Sequence, residues 1–191
     1  MAAVALFHSV LGLRRVEAAA ADRLRAAGHT VVVPDLYAGS TADSIDEGFA
    51  IMNSVGWETI CRRAQDALDL VPASAVLAGH SMGVGVIGST WPGRPSCNGV
   101  IMLHGLAVVP EYVRRGLPIT VHIADPDPFA PPDKIARWTT TARKAGISAD
   151  MFLYPSVGHF YTDQALPDYD RDATGQTWER VLTFLSAIPS R

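Results

Sequence analysis

The stretch AVLAGHSMGVGVIGST, residues 75–90, places one serine between glycines two positions away on either side. The pattern from Gly79 to Gly83 has the form G-x-S-x-G, in which a nucleophilic serine occupies a sharp turn between a strand and a helix. AVLAGH predicts a buried strand, and MGVGVIGST can begin a helix. Because small residues at 79 and 83 let the backbone turn tightly, the segment predicts a nucleophile elbow with Ser81 at its tip.

Short runs of apolar and β-branched residues predict six strands, each buried on both faces. They are VALFHS (4–9), HTVVVPD (29–35), AVLAGH (75–80), GVIMLHG (99–105), PITVHIA (118–124) and ADMFLYP (149–155). Helical patterns lie between them, over residues 14–28, 57–71 and 132–146. The alternation predicts an α/β fold: a mostly parallel, six-stranded sheet with helices on both faces. Ligands bind beyond the carboxyl ends of such strands, so we expect functional residues directly after strands.

Residues 36–56 are too long for an ordinary connection between a strand and a helix. Within them, Ile45, Phe49 and Met52 are spaced to share one face of a short helix. Two interpretations stay open: a lid over a pocket, or a surface helix packed on the domain. The 191 residues otherwise show no repeat or linker, which predicts a single domain over residues 1–191.

Composition excludes several classes of function. The chain is 48% hydrophobic and carries a net charge of −3, without a basic block that could follow a phosphate backbone, so we expect no nucleic-acid partner. No apolar run approaches the roughly 20 residues of a membrane span, and the arginines of the opening segment follow its apolar residues, unlike a signal peptide. We therefore expect a cytoplasmic protein with no membrane partner. Cys61 and Cys97 match neither a disulfide framework nor a zinc site and are predicted to be buried structural thiols.

A serine nucleophile needs a base and an acid that orients the base. Asp125 and Asp127 follow the predicted strand at 118–124, and His159 follows the last predicted strand. The resulting order Ser, Asp, His along the chain is typical of α/β-hydrolases. His8 and His104 also end strands and remain weaker alternatives for the base.

Several motifs together resemble the dienelactone hydrolase family of the α/β-hydrolase superfamily. Besides the elbow and the order of the triad, PDLYAG (34–39), DPFAP (127–131) and YPSVGHF (154–160) are similar to family motifs. The resemblance covers nearly the whole chain. It implies that Asp127 is the acid, with Asp125 as the runner-up.

The elbow itself predicts that the Met82 amide donates to an oxyanion, and the resemblance assigns the second donor to the Val10 amide. The sequence departs from the family at two positions: Ser81 stands where the best-known members have cysteine, and Ser9 stands where they have glutamate. The chain begins directly with VALFHS, so we also expect the leading antiparallel strands of the superfamily fold to be missing.

Substrate charge is predicted from the segment around the possible lid. Well-known family members bind a substrate carboxylate with arginines, whereas no Lys or Arg occurs between Asp35 and Cys61. The acidic residues Asp43, Asp46, Glu47 and Glu58 in that region, and Asp163 after His159, are expected to repel a carboxylate. Ile45, Phe49, Met52 and Trp57 would offer apolar surface to a neutral substrate. The predicted pocket candidates are Ser9, Phe49, Met52, His104 and Phe160.

These observations lead to two hypotheses. The first is a serine hydrolase of small neutral carboxylic esters, lactones or thioesters, with Ser81, His159 and Asp127 as its triad and no cofactor or metal. The alternative is a catalytically silent binding protein that keeps the fold and pocket. Fold and triad indicate the type of reaction but do not identify the physiological substrate.

Overall fold

The computed structural model describes residues 1–189, which contain six strands and six α-helices. The strands are β1 (Ala3–Phe7), β2 (Thr30–Val32), β3 (Val76–His80), β4 (Val100–Leu103), β5 (Pro118–Asp125) and β6 (Ser148–Pro155). The helices are α1 (Arg15–Ala26), α2 (Ile45–Val55), α3 (Trp57–Leu68), α4 (Met82–Thr90), α5 (Pro132–Lys144) and α6 (Arg171–Ala187). A 3-10 turn, Trp91–Gly93, follows α4.

All six strands form one sheet in the order β2-β1-β3-β4-β5-β6, and every pairing is parallel. The register places Phe7 opposite Gly79 and His80 opposite Leu103. The carboxyl ends of the central strands therefore meet at one edge of the sheet, where the predicted functional residues follow them. The predicted α/β fold with a parallel six-stranded sheet is confirmed.

Alternate residues of the central strands pack into two apolar layers, one on each face of the sheet. Ala5 and Phe7 of β1 join the layer that contains side chains of α3, α4 and α5. Val4 and Leu6 join the layer formed with α1 and α6. This alternation follows from the two-residue period of a strand, and it places helices on both faces.

The prediction that every strand is buried on both faces is wrong for the edges. β6 is the last strand of the sheet, and five of its eight residues are exposed, including Leu153. β2 lies at the other edge and extends over three residues, so it is shorter than the predicted strand at 29–35. An edge strand lacks a neighbour on one side, which its own sequence does not reveal.

Helix α6 was not predicted, although its sequence carries two signals for it. Asp170 caps its first turn by accepting a hydrogen bond from the Ala173 amide (2.8 Å). Thr174, Thr177, Trp178, Val181 and Leu185 are buried along one face at helical spacing. The cap followed by this spacing could have revealed the helix.

The two cysteines are free thiols in different surroundings. Cys97 is fully buried, as predicted, and burial raises the pKa of its thiol to about 11. Cys61 is only partly buried, so the prediction of a buried thiol is wrong there. It lies on α3, where burial raises the pKa of its thiol and a hydrogen bond with Ser89 offsets part of that rise.

Candidate active site

The elbow forms where the sequence predicts it, between β3 and α4. Ser81 has φ 49° and ψ −106°, a backbone conformation that non-glycine residues rarely adopt. Its amide donates to the Leu103 carbonyl of β4 (2.8 Å), which anchors the turn to the sheet. A Cβ atom at Gly79 would lie 2.5 Å from the Gly83 backbone, and one at Gly83 would overlap the Phe7 carbonyl. Both glycines are therefore required by close backbone contacts.

Three predicted side chains meet at this turn in a continuous hydrogen-bonded chain. Ser81 Oγ lies 2.9 Å from His159 Nε2, and His159 Nδ1 lies 2.7 Å from Asp127 Oδ2. The second carboxylate oxygen of Asp127 accepts a hydrogen bond from the Phe129 amide (2.8 Å). Because Nδ1–H donates to the carboxylate, Nε2 is left to accept the proton of the Ser81 hydroxyl. The arrangement can activate a serine for attack on a carbonyl carbon.

Aromatic side chains hold the His159 ring in place. The Phe129 and Phe160 rings each lie 4.6 Å from it between centroids, Phe160 in a T-shaped contact. His159 is 5% exposed and Asp127 4% exposed. The pair is thus largely shielded from water, and Phe129, which the sequence indicated only as part of the acid loop, contacts both members.

A cavity of about 260 Å³ opens beside Ser81. Its lining includes four of the five predicted pocket candidates, Phe49, Met52, His104 and Phe160. Most of its walls are apolar or small; the full set is Val10, Ile45, Phe49, Met52, Trp57, Ser81, Met82, Val84, Gly85, His104, Gly105, Leu106, Phe129, Lys134, His159 and Phe160. Ile45, Phe49 and Met52 share one face of α2, so this helix forms a wall of the cavity.

Ser9 is the predicted pocket candidate that does not line the cavity. It is 3% exposed, and its hydroxyl accepts a hydrogen bond from the Leu11 amide (3.3 Å). The side chain is engaged in its own turn, so the prediction is wrong for this residue. Val10 and Met82, the predicted oxyanion donors, both line the cavity together with Ser81.

The prediction that acidic side chains border the pocket is also wrong. None of the four acidic residues of the region 43–58, Asp43, Asp46, Glu47 and Glu58, lines the cavity. Asp163 forms an ion pair with Arg14 and does not line the cavity. Within the described part of the chain, Lys134 at the start of α5 is the only formally charged side chain in the lining. No local pattern marks Lys134 as a pocket residue, because α5 lies far from the elbow along the chain.

The alternative bases are engaged elsewhere. His8 Nδ1 lies 2.7 Å from the Ser9 carbonyl, and its Nε2 accepts a hydrogen bond from the Leu36 amide (3.0 Å). His104 Nε2 lies 2.7 Å from Thr162 Oγ1. Burial lowers the pKa of both imidazoles, that of His104 well below its ordinary value. Neither ring is hydrogen-bonded to Ser81, so the geometry favours His159 as the base.

Residues 1–189 contain no group of three or more His, Cys, Asp or Glu side chains arranged to hold a metal ion. Over the same residues, no helix combines the length and apolar character needed to cross a membrane.

Comparison with known proteins identifies hydrolases. A sequence model of the dienelactone hydrolase family matches residues 1–188. A relative from Aquifex aeolicus (strain VF5), named carboxymethylenebutenolidase, is 23% identical. The alignment is 207 residues long and covers 95% of this chain and 86% of the relative.

Two solved structures show the extent of the fold similarity. A dienelactone hydrolase-like promiscuous phosphotriesterase from metagenomic libraries superposes with a TM-score of 0.78 at 17% identity, over 98% of this chain and 87% of that one. The thioesterase domain from the curacin biosynthetic pathway gives a TM-score of 0.65 at 14% identity, over 95% and 90% of the two chains. At these identities the likeness concerns the fold alone.

Proposed function

The chain belongs to the dienelactone hydrolase family of hydrolases, and from that premise we propose that it is a serine hydrolase of carboxylic esters or lactones that works through an acyl-enzyme. The observation that carries the proposal is the unbroken chain from Ser81 Oγ through His159 to Asp127, with distances of 2.9 Å and 2.7 Å, at the wall of a cavity.

The first half of the reaction forms the acyl-enzyme. Ser81 Oγ attacks the carbonyl carbon of the substrate while its proton passes to His159 Nε2. The oxyanion of the tetrahedral intermediate accepts hydrogen bonds from the amides of Val10 and Met82, and the N-terminus of α4 adds a favourable dipole. Asp127 stabilises the imidazolium that forms. When the intermediate collapses, the bond to the leaving oxygen breaks and that oxygen takes the proton from His159.

The second half repeats the chemistry with water. His159 takes a proton from a water molecule as its oxygen attacks the acyl carbon, and the same two amides hold the second oxyanion. Collapse breaks the ester bond to Ser81, whose oxygen recovers the proton from His159. The products are a carboxylic acid and an alcohol, or a hydroxy acid when the substrate is a lactone.

The cavity supports a small substrate with an apolar acyl or alcohol group. Its volume of about 260 Å³ is below the usual range for drug-sized ligands, and its walls from α2 and the start of α3 are apolar. We propose a neutral substrate on the strength of this lining, because burial of a carboxylate among apolar side chains is unfavourable unless it is paired.

Labelling with a fluorophosphonate probe tests the proposal. The wild-type protein should be labelled once and should hydrolyse a short p-nitrophenyl ester, and Ser81→Ala should abolish both. Ser186→Ala, which removes an exposed hydroxyl on α6, is the matched control and should keep both activities. A folded wild-type protein that is neither labelled nor active would favour a binding protein that retains the fold without the chemistry.

A further inference from the structure

A second acidic side chain is buried close to the elbow, outside the Ser81–His159–Asp127 chain. Glu17 on α1 is fully buried, with 0% exposure. Glutamate is rarely found in such a position without partners, because a buried carboxylate loses its hydration. The surroundings of Glu17 therefore need to supply the hydrogen bonds that water would provide.

The partners of Glu17 belong to two different segments of the site. Its Oε1 accepts a hydrogen bond from the Ser9 amide (3.3 Å), and its Oε2 accepts one from the Arg14 amide (3.0 Å). Oε1 also lies 3.7 Å from Nδ1 of His80, which is 2% exposed. Ser9 directly precedes Val10, and His80 directly precedes Ser81. One carboxylate thus contacts both the loop after β1 and the elbow after β3.

The carboxylate is stabilised in its charged form by these contacts. Burial acts to raise the pKa of the Glu17 carboxyl group, but the contact with His80 and the hydrogen bonds from the Arg14 and Ser9 amides bring it below its ordinary value. If either segment moved, a buried charge would lose a partner, which is costly in a protein interior. The arrangement therefore resists relative movement of the loop and the elbow.

The His80 ring depends on the same contact. Among the residues that the structure describes, its Nε2 is buried without a hydrogen-bond partner. The ring packs edge-on against His104, with 5.8 Å between centroids. Glu17 is the charged group that lies beside this ring, next to the strained backbone of Ser81.

We propose that Glu17 is a positioning residue which, through His80 and the Ser9 amide, fixes the Val10 loop relative to the Ser81 elbow and so keeps the Val10 and Met82 amides directed at one oxyanion. This inference rests on the proposed hydrolase function. Oxyanion donors act because they are held in place before the charge develops, and displacements on the order of 1 Å reduce rates strongly. Glu17 does not line the cavity, so its removal should leave ground-state binding unchanged.

Glu17→Gln is the direct test because it keeps the shape of the side chain. Its amide nitrogen must face one of the two backbone N–H groups that now donate to the carboxylate, so the loop has to shift. We expect kcat per active site to fall roughly 10- to 100-fold with KM within about twofold of wild type. Stoichiometric fluorophosphonate labelling counts the active sites, so that loss of folded protein is not mistaken for loss of rate.

Binding of a boronic acid, which forms a tetrahedral adduct with the serine, supplies a second readout. Its affinity should fall in parallel with kcat in Glu17→Gln, whereas a purely structural role would lower the unfolding temperature and leave both quantities per site unchanged. Asp22→Asn removes an exposed carboxylate from the same helix and is the matched control, expected to behave as wild type.

The double variant Glu17→Met with His80→Leu covers the case in which the single variant does not fold. Replacing a buried polar pair by apolar side chains of similar size commonly preserves stability. We expect a stable protein with the same reduced kcat. Wild-type kcat per site in either variant would overturn the positioning role, while absence of labelling in the wild-type protein would instead overturn the proposed function.

Discussion

At the scale of single residues, the choice between two neighbouring aspartates depends on which one reaches the histidine. Asp127 is buried with Oδ2 2.7 Å from His159 Nδ1, and its other oxygen is held by the Phe129 amide. Asp125 ends β5 with an exposed side chain, and its backbone carbonyl accepts from the Ser156 amide. The geometry favours Asp127 as the orienting acid.

We expect Asp127→Asn to lower kcat on a p-nitrophenyl ester by about 10⁴-fold, because the neutral amide neither holds the required tautomer of His159 nor stabilises the imidazolium. Asp125→Asn, the matched control two residues away, should stay within a few-fold of wild type. Steady-state kinetics on both variants, with circular dichroism to verify folding, decide the matter. Equal losses in the two variants would contradict the assignment.

At the scale of secondary-structure elements, the cavity lies between an apolar wall from α2 and the amino end of α5. Phe49 of α2 and Phe129 before α5 approach each other across it, with 6.5 Å between ring centroids. Lys134 of α5 lines the cavity and donates to the Phe129 carbonyl (2.8 Å). The charged group that lines the cavity is therefore the Lys134 ammonium, whereas the sequence predicted acidic side chains there.

Lys134→Gln should change the discrimination between charged and neutral substrates. We expect it to lower kcat/KM for an ester bearing a free carboxylate by roughly two- to fivefold, the size of effect typical for an exposed charge pair, and to leave a matched neutral ester unaffected. Lys144→Gln, at the exposed far end of the same helix, is the control. Added salt should screen Lys134 and so reduce the effect of the substitution on the charged ester. An identical effect on both esters would show that Lys134 acts through structure and not through charge.

At the scale of the whole molecule, buried neutral histidines make stability depend on pH. Burial lowers the pKa of His8, His104 and His122, that of His122 to about 3 with a further contribution from Arg180. As the pH falls below about 6.5, these residues take up protons more readily in the unfolded chain than in the folded one. Acid therefore stabilises the unfolded state, and the free energy of unfolding should fall as the pH is lowered.

Between pH 7 and pH 5.5, His122, with a folded-state pKa of about 3, stays unprotonated in the folded protein and should cost about 1 kcal/mol of stability. His122→Gln should reduce the loss by about that amount, because glutamine cannot be protonated, whatever its effect on stability at pH 7. His29→Gln, at a half-buried site where the lowering of the pKa is smaller, is the comparison and should change the slope less. Denaturant unfolding at several pH values measures the effect; a wild-type profile that is flat over this interval would contradict it.

Sequence by itself determined the order and type of most elements and the residues that end the central strands. Hydrophobic runs and helical spacing depend on local backbone preferences, and the turn at Ser81 needs small residues on both sides of it. These are properties of neighbours along the chain. The elbow pattern indicated Ser81, and the meeting of strand ends at one edge of a parallel sheet indicated His159 and either Asp125 or Asp127. The family resemblance favoured Asp127, and the structure places Ser81, His159 and Asp127 within hydrogen-bond reach.

Only the tertiary structure decided which groups from distant segments meet. The exposure of β6 depends on its place at the edge of the sheet, and the role of Lys134 depends on where α5 packs. The Ser9 hydroxyl is hydrogen-bonded within its own loop and does not line the cavity. Glu17, which no sequence motif indicates, has its carboxylate in contact with both the Ser9 amide and the His80 ring. Burial and electrostatic partners are set by contacts between residues far apart in sequence, and no local pattern encodes them.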